Sequence, residues 1–134
     1  MDAAEKVIPL NVDADIVTAR QEARALAAKI GFSSSEQIFI ATAISEAARN
    51  ILQYAGSGEI TLIQVKDGSK TGIEIIARDQ GPGIKDVQRA MEDGYSTSGG
   101  LGLGLPGIKR LMSELHVKSA PGKGTTVTIR KWKT

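Results

Sequence analysis

The stretch Ala77–Leu111, ARDQGPGIKDVQRAMEDGYSTSGGLGLGLPGIKRL, decides how the rest of this chain is read. It carries more than half of the 15 glycines in 134 residues. Glycine loses more backbone freedom on folding than any other residue, so such a density needs a reason. Two reasons compete: a flexible linker, or a backbone that must come close to something side chains would block. The flanks choose between them. Upstream, EITLIQVKDGSKTGIEIIARD (59–79) reads as two strands joined through Asp67-Gly68, a hairpin signal. Downstream, LPGIKRLMSEL (105–115) reads as a helix with Pro106 in its first turn. HVKSAPGKGTTVTIRKW (116–132) then gives two more strands around a Pro-Gly-Lys-Gly turn. The sequence on either side belongs to one sheet, and long loops inside compact domains are usually functional.

The N-terminal half supplies the second layer. Lys6 to Val12 alternates enough for a short first strand, and Asp13 and Asp15 are N-cap candidates for the helix after it. In that helix Ile16, Ala19, Ala23, Leu26 and Ile30 recur at three- and four-residue steps, and Gly31 is the stop. SSSEQIFIATAISEAARNILQYAGSG (33–58) opens on serine caps and gives a longer helix ending at Gly56, with Ile40, Ile44, Ala47 and Ile51 as its core stripe. The order strand, two helices, hairpin, glycine-rich loop, helix, hairpin predicts an α/β sandwich of two layers, its sheet mostly antiparallel and its helices on one face. The length suits one domain spanning residues 1–134.

Composition removes several classes of function. Seventeen basic against fifteen acidic residues leave a net charge of +2, and aromatic residues make up 4%. With no basic run and no aromatic platform, a nucleic-acid partner is not expected. The chain has no cysteine, which excludes disulfides and thiolate metal sites and fits a reducing compartment. The N-terminus MDAAEKVIPLNVDAD has no signal-peptide pattern, and no apolar run reaches the length of a membrane span. The expectation is a cytoplasmic protein without a membrane partner.

Three elements carry candidate chemistry. Glu46 and Asn50 stand four residues apart on the second helix, so they share a face beside the isoleucine stripe. The bland alternative is a solvated pair making a weak helical contact. Asp79 closes the strand Ile73-Ile75-Ala77 just before Gly81-Pro82-Gly83, where a carboxylate can accept bonds from an exocyclic amine while glycines admit a flat ring. The alternative is an ordinary turn that Asp79 caps locally. In GGLGLGLPGIKR, Gly100, Gly102 and Gly104 run into a helix start, where backbone N–H groups and the helix dipole favour an anion. Lys109 and Arg110, one turn in, add charge for possible phosphate contacts. The pattern is neither a Walker loop nor a Rossmann fingerprint.

In this order and spacing the three elements resemble the nucleotide-binding domain of the GHKL superfamily, whose fold is an α/β sandwich. Glu46 and Asn50 match its N-box, DQGPG its first glycine motif, GGLGLGL its second, and GKGTTVTI its closing strand. The likeness covers essentially the whole chain. Within the superfamily, AISEAARNILQYAGSGEI and MEDGYSTSGGLGLGLPGIKRLMSE are similar to the serine-protein kinases of bacterial stress and sporulation signalling, nearest the stressosome switch kinases. The resemblance implies ATP and Mg²⁺ as cofactors and a role for each matching residue. Asn50 would ligate Mg²⁺, and Glu46 would be the general base. Asp79 would bond the adenine amine, helped by Gly81, Gly83 and Thr125. Gly100, Leu101, Gly102, Leu103 and Gly104 would offer backbone N–H groups to the phosphates. Ile84 to Gly104 would form a lid carrying Ser96, Thr97, Ser98 and Gly99. It also implies a STAS-domain protein as serine acceptor and a serine phosphatase as second partner. The alternative from the same family is an anti-sigma factor that sequesters a sigma subunit. The only histidine, His116, is expected to be a surface or strand residue rather than a phosphoacceptor.

Overall fold

The computed structural model describes residues 5–81 and 105–133. Along them run strand β1 (Glu5–Leu10), helices α1 (Ala14–Ile30) and α2 (Ser34–Tyr54), strands β2 (Gly58–Asp67) and β3 (Lys70–Asp79), helix α3 (Leu105–Leu111), and strands β4 (Glu114–Ser119) and β5 (Thr125–Trp132). The strands form one sheet in the order β1-β2-β3-β5-β4, and every pairing in it is antiparallel. Among the described residues this is the expected two-layer α/β arrangement. No helix there is long and apolar enough to cross a membrane.

The core lies between one face of the sheet and the helices. Ile8, Leu10, Ile60, Leu62, Ile73, Ile75, Ala77, Val127 and Ile129 point inward from alternate strand positions. They meet Ile40, Ile44, Ala47 and Ile51 of α2, all buried, as the stripe predicts. In α1 the fully buried positions are Ala19, Ala23 and Ala27, with Ile16, Leu26 and Ile30 packed half-buried at their flanks. The predicted α1 stripe therefore holds, but its centre shifts onto the alanines, whose small side chains let α1 approach α2 closely.

Caps fix where the helices begin. Ser33 Oγ accepts from Glu36 N, and Glu36 Oε1 accepts from Ser33 N, a reciprocal box that satisfies two orphan donors of α2. In α1 the N-cap residue Asp13 makes no side-chain capping bond. Asp15 instead reaches back, its Oδ2 accepting from Asn11 N at 2.8 Å and Val12 N at 3.0 Å. Those amides are thereby withdrawn from the sheet, which is why β1 stops at Leu10 and not at Val12. Helix α2 ends at Tyr54, two residues short of the expected Gly56.

Helix α3 departs further from expectation. It stops at Leu111, and β4 begins at Glu114, where the sequence pattern suggests helix through Leu115. The strand side wins because Ser113 N bonds Arg130 O and Ser113 Oγ accepts from Trp132 N. Leu115 and Val117 face the core as strand residues, whereas Ile108 and Met112 anchor α3 itself.

Candidate functional site

The site is built where the C-terminal end of α2 meets the end of β3. Asp79 has the strand parity of Ile73, Ile75 and Ala77, so its side chain faces the helix layer. It forms a cross-strand row with Gly58 of β2, Thr125 of β5 and, beyond Thr125, Ser119 of β4. Directly opposed residues of antiparallel strands project to the same side, so Asp79, Thr125 and Ser119 stand together at one end of the sandwich.

Two glycines make this end what it is. A Cβ on Gly81 would lie 2.5 Å from the Cβ of Ala55, so the turn after β3 seats directly on the C-cap of α2. Gly124 has φ +76°, and a Cβ there would collide with the Asp79 carbonyl oxygen. Only a bare backbone brings the start of β5 against the end of β3. The resemblance of GKGTTVTI to the closing strand already marked the Gly124-Thr125 pair, but not this backbone approach to Asp79.

Asp79 Oδ1 accepts from Gly81 N at 2.8 Å, so Asp79 does cap its own turn, as the bland reading has it. A carboxylate offers about four acceptor sites, and this bond uses one of them. Next along the row, Ser119 Oγ donates to the Gly124 carbonyl at 2.9 Å and lies 2.8 Å from Thr125 Oγ1. The Ser119 contact is a second feature the sequence reading missed, because it depends on the β4–β5 register.

On α2, Glu46 and Asn50 share the expected face, and both are half-buried. Arg49 Nη1 holds Glu46 Oε1 at 2.6 Å, a pair not foreseen from the sequence. The Glu46 side chain is 40% exposed, so an incoming group can reach it. Asn50 precedes Ala55 by five residues, about 7.5 Å along the axis. Seating Ala55 on Gly81 therefore puts the Asn50 turn and Asp79 at the same end of the molecule. Lys109 and Arg110 are exposed and lie in the last turn of α3, since one turn into a seven-residue helix is also its end. Gly83, the second glycine motif Gly100–Gly104 and the lid with Ser96, Thr97, Ser98 and Gly99 lie outside the described residues. His116 is an exposed strand residue with its Nε2 3.7 Å from Glu114, matching its expected surface role.

The donor set suits a nucleotide. Asp79 presents a carboxylate acceptor beside the Thr125 hydroxyl at a glycine-bared strand end, which fits a flat base carrying an amine. Asn50 supplies a side-chain oxygen of the hard type Mg²⁺ takes, and phosphotransferase Mg²⁺ sites draw most other ligands from phosphates and water.

Known proteins resemble this chain over most of its length. The model of the histidine kinase-like ATPase domain matches residues 8–131. The serine/threonine-protein kinase RsbT of Bacillus subtilis is 57% identical over 118 residues, covering 88% of this chain and 89% of that protein. The anti-sigma F factor of Thermoanaerobacter sp. (strain X514) is 36% identical over 120 residues, covering 85% of this chain and 82% of its own. Among solved structures, the histidine kinase domain from the Erythrobacter litoralis EL346 blue-light activated histidine kinase aligns at 23% identity and a TM-score of 0.47. That alignment covers 89% of this chain and 59% of the other. The chain thus belongs to the histidine kinase-like ATPase family, on the branch that holds the serine/threonine-protein kinase RsbT and the anti-sigma F factors.

Proposed function

We propose that this chain is an ATP- and Mg²⁺-dependent protein serine kinase. In this reading it phosphorylates a STAS-domain partner in a bacterial stress-signalling switch of the stressosome type and, when released, activates a serine phosphatase. The observation that carries the reading is the meeting of Asp79 and Thr125 with the Asn50 end of α2, in a chain 57% identical to a serine/threonine-protein kinase.

Each residue then has a task. Asp79 and Thr125 accept from the adenine amine and set the base in place. Asn50 holds Mg²⁺, which when bound offsets the charge of the phosphates. The acceptor serine hydroxyl attacks the γ-phosphorus: its Oγ–P bond forms, the bond to the β–γ bridging oxygen breaks, and ADP departs. Glu46 takes the hydroxyl proton through the oxygen that Arg49 does not hold. Little covalent chemistry is asked of the protein, so positioning and proton removal suffice.

The test is incubation with γ-labelled ATP, Mg²⁺ and a candidate STAS-domain protein, followed by mapping of the labelled residue. Label on a partner serine is expected. The anti-sigma F relatives favour a second reading, a module that sequesters a sigma subunit and uses kinase activity toward its antagonist. Capture of a sigma factor by this chain would select it.

A further inference from the structure

We propose that the exposed pair Ile38 and Phe39, on the strip of α2 that also carries Glu46, is the docking surface for the protein that brings the acceptor serine. The proposal rests on the kinase reading above and adds to it the surface on which its protein substrate sits.

Helix geometry relates the pair to the proposed base. Phe39 precedes Glu46 by seven residues, so the two lie about 20° apart around the helix and about 10.5 Å apart along it. Both reach solvent: Phe39 and the Glu46 side chain are each 40% exposed. Ile38, beside Phe39, is 54% exposed. Single exposed hydrophobic residues carry little meaning. The other large ones among the described residues, Val7, Val12 and Val17, belong to β1, the β1–α1 turn and α1. Among the described residues, only on α2 do two stand next to each other. Phe39 is also steadied from one side. Lys131 Nζ lies 5.7 Å from the centre of its ring and donates to Leu111 O, at the end of α3, at 3.0 Å. The tethered ammonium holds the ring without covering it, and a fixed, exposed aromatic side chain is the kind of anchor that dominates protein interfaces.

What covers the pair follows from where the two substrates must approach. In the proposed function the nucleotide lies at the C-terminal end of α2, beyond Asn50, whereas Phe39 lies on the N-terminal side of Glu46. A serine hydroxyl must come within about 3 Å of Glu46 to lose its proton there. With the nucleotide on one side of Glu46, the protein presenting that serine comes down over the other. A specific interface covers about 800 Å² per partner, a disc of roughly 16 Å radius, so a footprint centred on Glu46 takes in Phe39 and Ile38. The matching partner carries an apolar patch about 10 Å from its acceptor serine. Ile38 and Phe39 touch no reacting atom, so they act on acceptor binding and not on the chemical step.

The experiment is steady-state phosphotransfer from γ-labelled ATP with Mg²⁺ to the STAS-domain protein, at varied acceptor concentration, with the full chain and its variants. Ile38→Ser and Phe39→Ser should each raise the acceptor KM by about tenfold, with kcat and ATP affinity close to wild type. Phe39→Tyr keeps the ring and should keep the wild-type KM. Val17→Ser removes a comparably exposed apolar side chain from α1 and should leave KM unchanged. An equal rise there would deny the α2 face its specificity and overturn the proposal. If Phe39→Ser does not fold, Ile38→Ser and Ile38→Glu carry the test, because Ile38 is the more exposed of the two. Unchanged KM in the serine variants overturns the proposal and leaves the kinase reading standing. If those variants then also self-associate less in sedimentation, a second copy of the chain is the occupant instead. A fall in kcat with KM unchanged makes the pair structural and overturns the proposal as well. A wild type that binds ATP but labels no STAS-domain protein overturns the kinase reading and this surface together.

Discussion

Asp79 is where a single residue serves two masters. One carboxylate oxygen caps the turn through Gly81 N, and in the proposed function the remaining acceptor capacity would take the adenine amine. Asp79→Asn separates the two roles, since the amide oxygen can keep the Gly81 bond while the NH₂ group donates where an acceptor is wanted. We expect the fold to persist and ATP affinity to drop by about tenfold or more, measured by equilibrium titration. Unchanged affinity would remove Asp79 from the adenine site. Asp79 was legible in the sequence because strand alternation through Ile73, Ile75 and Ala77 ends on its carboxylate, one residue short of the Gly81-Pro82-Gly83 turn. Ser119 and Arg49 were not. The Ser119 bond to Thr125 exists only through the register of the β4–β5 hairpin, and the Arg49–Glu46 pair is one rotamer choice among several on an exposed face.

At the scale of elements, the face of the sheet away from the helices is held by charge. Glu74 is 8% exposed, and Arg130, its cross-strand partner, donates to it at 2.5 Å. Arg130 also stands 3.7 Å from Glu114, which accepts from the Trp132 indole N–H at 2.8 Å. Removing the arginine leaves a buried carboxylate without its donor. Arg130→Met should destabilise the fold by about 1–3 kcal/mol in chemical denaturation, with ATP affinity of the folded protein unchanged. A stability loss below measurement would mean Glu74 finds another donor. The elements themselves were largely legible: the α2 stripe, the capping serines and both hairpins follow from local pattern. Helix α3 was not, because MSEL is compatible with helix until Ser113 is tied to Arg130 and Trp132, partners far along the chain. A related tie closes the helix, where Lys131 Nζ donates to Leu111 O at 3.0 Å. The α1 stripe was right in phase but not in depth, since alanines become the deepest positions only when a second helix packs on them.

For the whole molecule, two carboxylates contribute to the acid limb of stability. The backbone amides of Asn11 and then Val12 hold Asp15 below its ordinary value of 3.8. The Trp132 indole N–H, followed by the Arg130 and His116 charges, holds Glu114 below 4.5. In the unfolded chain both titrate at their ordinary values, so through that window the unfolded state binds more protons than the folded one. Their contribution is therefore present above about pH 5 and is lost progressively as pH falls below about 4.5. Urea midpoints measured from pH 6 down to pH 3 should decline, and the decline should be shallower in Asp15→Asn and Glu114→Gln. Parallel curves for wild type and both variants would show that other groups govern the limb.

The same global frame carries the functional claim. One end of the sandwich gathers the end of β3, the start of β5 and the C-terminal turns of α2, so in the proposed function base recognition and proton removal would fall to different elements. The most direct measurement is ATP affinity and single-turnover phosphotransfer determined side by side in Glu46→Ala. The prediction is an ATP dissociation constant close to wild type with transfer to the partner serine slowed by roughly 10²–10⁴-fold. Transfer at the wild-type rate would contradict the account, because Glu46 would then not be the base.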